Sequence, residues 1–302
     1  MTTETATAAE LRTPATPLAF LREVVLLAKP RLSGLVILTT TGGLLLAPGS
    51  IPVARAVLAV LATAAVVGSA NALNCYFERE TDALMRRTRD RPLPAGRLDP
   101  VIALALGILV PAFALPVLAL VAGKLTALLA LVALVSYVAI YTPLKRRSSL
   151  ALFVGAVPGA IPPLMGWTTV TGHLDAGGLG LFALLFAWQL PHFLAISLYL
   201  KEDYTRGGMK VFSIVHGEPM TRRWIAGTSL LLLPAALLPV ALDLADWRYG
   251  AVAVAASVAF TGFALTGLGR RGEAPRWARS IFLATLLYLV LLMVALMVGA
   301  RP

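Results

Sequence analysis

Charge is scarce in this sequence. Of its 302 residues only 14% are Asp, Glu, Lys or Arg, while 58% are hydrophobic; a soluble domain carries roughly 25% charged and 45–50% apolar residues. That shortage excludes a water-soluble globular fold. Cysteine is almost absent: Cys75 stands alone, so no intramolecular disulfide can form, and the thiol reads as a small buried filler. A basic, apolar-cored leader is missing as well. Residues 1–18 are rich in Thr and Ala and carry Glu4 and Glu10 against a single Arg12, which fits neither a signal peptide nor an Arg-rich transit peptide. They read as a disordered tail ahead of a membrane domain over residues 19–302.

What the chain has instead is long apolar runs. About 20 consecutive apolar residues cross the hydrocarbon core as helix, and nine such runs are present, at roughly 20–47, 53–77, 101–121, 124–142, 149–170, 178–200, 224–243, 249–268 and 277–299. An all-α membrane protein follows. The formal charge of +11 is placed by topology rather than for nucleic acid: loops after the second, fourth, sixth and eighth runs hold 18 Lys and Arg, and the opposite side only Arg55, Lys124, Arg248 and Arg301. By the positive-inside rule the N-terminus and the basic loops are expected in the cytoplasm and the C-terminus in the periplasm, across a bacterial inner membrane. Prolines such as Pro30, Pro158, Pro162, Pro163 and Pro191 interrupt the runs. Proline kinks a membrane helix and is tolerated where neighbours or a cavity satisfy the freed carbonyl, so the bundle is expected to enclose a pocket. Small residues in VGAVPGAIPPLMG (154–166) favour close helix approach.

Where charge does occur it is concentrated. The stretch NALNCYFERETDALMRRTRDRPLPAGRL, residues 71–98, holds four acids and six arginines directly after an apolar run. Asn74, Glu78 and Asp82 are spaced four apart and share one helix face over roughly 12 Å of axis. An amide and two carboxylates offer only hard oxygen ligands, the set Mg²⁺ takes alongside waters and substrate phosphates. The bland alternative is pairing of Glu78 and Asp82 with Arg79, Arg86 or Arg87 at a water-facing helix end. Two further clusters on the same side favour the first reading: YTPLKRRS (141–148), with Tyr141, Lys145 and Arg146, and LKEDYTRGG (200–208), with Glu202, Asp203 and Arg206. Arginine forks suit phosphate oxygens. Three polar helix ends over an apolar cavity describe a site for an isoprenoid diphosphate, its tail between kinked helices and its head among metal and arginines. Charge drawn onto the departing diphosphate leaves an allylic cation to an electron-rich acceptor, which is prenyl transfer.

Over about residues 20–300 the sequence resembles the UbiA-type intramembrane prenyltransferases, and among them the haem-farnesylating branch. The likeness rests on AKPRLSGLVILTTTGG (28–43), NCYFERETDALMRRTRDRPLPAGR (74–97), YTPLKRRS, GAVPGAIPPLMGW (155–167) and WQLPHFLAISLYLKEDYTRGGMKVF (188–212). The resemblance implies nine transmembrane helices in a bundle around a central cavity open toward the cytoplasm. It further implies Mg²⁺-dependent use of farnesyl diphosphate and transfer of farnesyl to a vinyl group of haem b with water added, giving haem O; haem b is then substrate rather than cofactor. It places Asn74, Glu78 and Asp82 on metal and diphosphate, and Arg86, Arg89, Arg91 and Lys145 on phosphate or haem propionates. A haem A synthase or a terminal oxidase is the implied partner for the product. Glu78 stands where many relatives have aspartate, and the adjacent acids Glu202 and Asp203 depart from the spaced aspartates of the quinone-ring branch.

Other candidates carry two readings each. His192 lies inside an apolar run, where an ionisable residue is a functional hypothesis: it meets haem iron or takes a proton when water attacks, or it bonds the backbone freed by Pro191. Lys29 and Arg31 flank Pro30 as anion clamps on the cavity rim or as cations snorkelling to headgroups. Tyr137 and Tyr141, one turn apart, shield a carbocation or serve as interfacial aromatics. Asp203 is expected as a second acid on the rim, while His173 and His216 read as loop residues and Glu80 points off the ladder face. Two rival functions differ in class: a prenyltransferase for an aromatic or quinone precursor, and a transporter with a midplane ion path. Acids gathered at one face speak against the transporter.

Overall fold

A computed structural model describes residues 16–269 and 274–301, so residues 1–15 of the expected tail lie outside the described residues. The first helix, α1 (Pro17–Leu27), starts where Thr16 caps it by accepting the Ala19 N–H, with proline at the first helical position. It stops at Ala28. Pro30 opens α2 (Pro30–Leu46), and the two helices meet at 57°. A single continuous run was expected over 20–47; proline disfavours the helical region for the residue before it, and Lys29 takes the left-handed conformation at φ 49 and ψ 65.

Helix α3 (Val53–Leu84) has 32 residues, about 48 Å of axis, against a hydrocarbon core of about 30 Å. Its charged last turns therefore run on past the apolar stretch. Next come α4 (Pro100–Ala122), α5 (Lys124–Leu144), α6 (Ala151–Thr171) and α7 (Ala176–Tyr199). Two short helices follow, α8 (Lys201–Arg206) and α9 (Phe212–Val215). The chain continues through α10 (Gly217–Ser229) and α11 (Leu232–Ala241), which together make one span, then α12 (Trp247–Leu265) and α13 (Ala274–Val298). Among the described residues eight helices are long and apolar enough to cross a membrane, and the bent pair α1–α2 makes a ninth if it is one span. An isolated bridge joins Ala245 to Ala300.

Helix α6 sits at the centre because its small residues admit neighbours on all sides. A Cβ on Gly166 would stand 1.9 Å from the Thr40 carbonyl oxygen, and one on Gly43 2.0 Å from that of Pro163. The α2 and α6 backbones thus touch, the close crossing that small residues permit. One face of α6 gives Ala160 and Trp167 to a core shared with α7 and α10 through α13, and another gives Ile161 and Met165 to a core shared with α3, α4 and α5. A third cluster, with Leu27, Cys75, Leu93 and Leu98, anchors the arginine-rich loop against α1 and α3. Cys75 is buried there as the expected filler.

Candidate active site

The i,i+4 spacing does its work on α3: Asn74, Glu78 and Asp82 lie along one inward face, 1%, 6% and 1% exposed. Each rung is met by one cation, and each cation comes from a different segment. Lys29 Nζ donates to Asn74 Oδ1 at 2.5 Å from the break between α1 and α2. Lys145, just after α5, pairs with Glu78. Arg91, in the loop after α3, contacts Asp82 Oδ2 at 2.6 Å. Arg79 pairs instead with Glu80 and the Tyr76 carbonyl, Arg86 and Arg87 are exposed, and among the described residues no ion pair joins any of the three to Glu78 or Asp82. Burial alone would lower the Arg91 pKa, but the Asp82 carboxylate beside it raises it, and the guanidinium stays charged. Lys145 follows the same logic: burial opposes the charge, and Glu78 more than restores it and holds the pKa raised.

Around the ladder the freed backbone is satisfied by side chains that sequence reasoning passed over. Asn71 Nδ2 donates to the Ala28 carbonyl, which has no helical partner beyond the break, and to Ser33 Oγ, both at 3.1 Å. Asn74 Nδ2 donates to Thr142 Oγ1 at 3.1 Å, and that hydroxyl donates to the Tyr137 carbonyl. Tyr137 belongs to a π-helical stretch of α5, Ser136–Tyr141; such bulges displace carbonyls from the regular ladder and recur at functional sites. The signal for Asn71 was present in NALN, where residues 71 and 74 are i,i+3 on one face.

Beneath the ladder lies an apolar cavity of about 150 Å³ between α2, α3, α5 and α6, with Val66, Leu134, Pro158 and Pro162 in its wall and Asn71 and Tyr137 at its polar end. Of the prolines expected to open a pocket, Pro158 and Pro162 line it, and Pro30, Pro163 and Pro191 do not. A groove of about 470 Å³ beside Glu78 is bounded by Phe77, Val138, Arg146 and Arg147, and Arg146 donates to Thr81 Oγ1 at 3.3 Å. Tyr141 lies under Lys145, with Nζ 4.8 Å from the ring centroid, a cation–π contact.

Not every candidate converges. Arg31 and Arg86 are exposed, and Arg89 is exposed beside Asp90. Glu202 points to solvent and pairs with Arg206, whereas Asp203 accepts the Arg86 and Arg87 backbone N–H groups at 3.2 Å each. His192 faces α13, its Nδ1 2.7 Å from Thr285 Oγ1 and its ring stacked on Trp188; it contacts no ladder residue. His216 meets Ser149 Oγ at 2.9 Å, and His173 lies beside Asp175.

Two carboxylates and an amide oxygen on one face fit a divalent cation that takes hard ligands. Among the described residues no three His, Cys, Asp or Glu side chains converge into a cage.

Comparison with known proteins agrees with this geometry. The model of the UbiA prenyltransferase family matches residues 35–286. The chain is 67% identical over 301 residues, 100% of each, to the protoheme IX farnesyltransferase of Anaeromyxobacter sp. (strain Fw109-5). It is 49% identical over 280 residues to the enzyme of the same name from Myxococcus xanthus (strain DK1622), covering 93% of this chain and 95% of that one. Among solved structures, a digeranylgeranylglyceryl phosphate synthase superposes with a TM-score of 0.77 at 16% identity, over 92% of this chain and 98% of that one. A UbiA homologue from Archaeoglobus fulgidus bound to DMAPP and Mg²⁺ does so with a TM-score of 0.65 at 15% identity, over 91% and 99%. The transporter reading falls with these matches: the helical bundle that holds an acid ladder over an apolar cavity is an integral membrane prenyltransferase of the UbiA family.

Proposed function

We propose that the protein transfers the farnesyl group of farnesyl diphosphate to a vinyl group of haem b, with addition of water, to give haem O. The observation that carries the diphosphate half is the pairing of each ladder rung with one cation above an apolar cavity. The acceptor half is supported by relatives at 67% and 49% identity, both named for protoheme IX. Asn74, Glu78 and Asp82 would hold Mg²⁺, which when bound supplies charge to the departing diphosphate. Lys145 and Arg91, which pair with Glu78 and Asp82, and Lys29, which donates to the Asn74 amide oxygen, would turn to phosphate oxygens. The bond from farnesyl C1 to oxygen breaks, its electron pair leaving with diphosphate. A vinyl carbon attacks C1 to form the new carbon–carbon bond, and water captures the resulting cation with loss of a proton. Tyr137 lines the cavity and the Tyr141 ring centroid lies 5.5 Å from that of Tyr137, so their π faces would meet positive charge that develops there. The basic loops support placing the ladder end in the cytoplasm of a bacterial inner membrane, with the N-terminus on that side, the C-terminus in the periplasm, and a haem A synthase or terminal oxidase receiving the product.

The test is turnover by the purified protein in detergent with farnesyl diphosphate, reduced haem b and Mg²⁺, read as the mass of extracted haem. A gain of farnesyl plus water, abolished by EDTA and reduced on the order of a hundredfold by Asp82→Ala, is the expected result. Haem of unchanged mass from folded protein would move the acceptor to an aromatic compound.

A further inference from the structure

The acid pair Glu202 and Asp203 divides sharply: the Glu202 side chain is 86% exposed and that of Asp203 14%. Asp203 turns toward the start of the arginine loop. There its two carboxylate oxygens are taken up separately, Oδ1 by the Arg86 N–H and Oδ2 by the Arg87 N–H, with Arg206 on Oδ1 at 3.5 Å. Four residues past α8 comes the second attachment: the Lys210 N–H donates to the Lys145 carbonyl at 2.9 Å. Between the two, Gly208 makes the turn at φ 64, and the Met209 N–H returns to the Tyr204 carbonyl at 3.0 Å. Gly207 packs on Met85, where a Cβ would come within 3.1 Å of the sulfur. Residues 203–210 therefore touch the backbone of both segments that deliver cations to the carboxylate rungs, the loop of Arg91 and the turn of Lys145.

We infer that the segment from Asp203 to Lys210 is a brace that sets the spacing between Arg91 and Lys145 across the ladder, with Asp203 as a positioning residue that fixes the arginine loop through its backbone. An inward carboxylate whose oxygens each accept a backbone N–H acts as a cap rather than a metal ligand. The adjacency of the two acids follows, since the brace needs one inward carboxylate and its neighbour is free to face water. A phosphate-binding cation displaced by even about 1 Å loses much of its effect on the transition state, so the brace acts on the proposed reaction, on which this inference rests, without touching substrate.

Two measurements on full-length protein in detergent test it. Limited trypsin digestion without substrate reports the loop directly: Asp203→Ala should speed cleavage after Arg86 and Arg87 on the order of tenfold, and Asp203→Asn, which keeps one acceptor oxygen, should lie between it and the parent. In turnover, the Ala variant should raise KM for farnesyl diphosphate on the order of tenfold while the Mg²⁺ concentration for half-maximal rate and KM for the acceptor hold. An unchanged digestion rate in both variants overturns the brace, as does a Mg²⁺ requirement raised tenfold, which would make Asp203 a metal ligand. Digestion needs no reaction, so it answers whether or not haem is the acceptor.

Discussion

The buried ion pair between Glu78 and Lys145 shows how a carboxylate rung is balanced. Taking either charge out of water is expensive, and removal of one partner leaves the other uncompensated, which costs about 3–5 kcal/mol. Glu78→Gln should therefore lower the unfolding temperature in detergent, and adding Lys145→Met should restore much of it, because the orphaned ammonium is gone. A cycle in which the two losses simply add would mean that the pair carries no coupling. The sign of the Lys145 shift sets the pH range for this test. Burial pulls its pKa down and the Glu78 carboxylate pulls it up further, leaving it raised. A raised group stabilises fully below its unfolded value and loses that contribution only as pH climbs through the folded one. The Lys145 side of the pair is thus constant over about pH 6 to 9 in the parent. In Glu78→Gln the same burial acts without the carboxylate and lowers the Lys145 pKa, so the difference between the two proteins should shrink as pH rises. A parent that itself loses stability near pH 8 would instead place a neutral lysine in the site.

At the scale of elements, the crossing of α2 and α6 holds the cavity in place. Gly166→Val would drive side-chain carbon into the Thr40 carbonyl, and backbone cannot yield as a side-chain tip can. A loss above about 3 kcal/mol is expected, seen as aggregation or a lowered unfolding temperature on detergent extraction. Gly34, on the same α2 helix, has nothing within 4 Å of a Cβ, and Gly34→Ala should be neutral or stabilising by up to about 1 kcal/mol. Equal behaviour of the two variants would dissolve the close crossing. These elements also show where the sequence could be read and where it could not. The ladder was legible because Asn74, Glu78 and Asp82 repeat with the period of one helix. The break before Pro30 was visible as a proline, but not its 57° bend or the left-handed Lys29, around which the Ala28 carbonyl is shared by Ser33 Oγ from α2 and Asn71 Nδ2 from another helix. The pairing of Lys145 with Glu78, or Asp203 with the Arg86 backbone, joins residues far apart in sequence, and no local pattern encodes that match.

For the whole molecule, the decisive expectation is its orientation. Positive-inside counting put 18 Lys and Arg on one side of nine runs, and the contacts of Lys145 with Glu78 and of Asp203 with Arg86 bring three of those basic loops to one end of the bundle. Convergence of this kind requires an even number of membrane crossings between each pair of loops, so the bundle obeys the parity that the charge pattern implied. The native cysteine makes the orientation measurable. Cys75 is alone and buried, so Cys75→Ala gives a cysteine-free background into which one thiol can be placed at a time. Lys124 and Arg147 are both exposed and lie at opposite ends of α5. In intact cells whose outer membrane has been made permeable, a membrane-impermeant maleimide should label Lys124→Cys and leave Arg147→Cys untouched until the inner membrane is lysed. The reverse pattern would put the ladder in the periplasm, where its cations would face away from a cytoplasmic supply of prenyl diphosphate. Labelling of both before lysis would mean that α5 does not cross, and with it the ninefold path of the chain would fail.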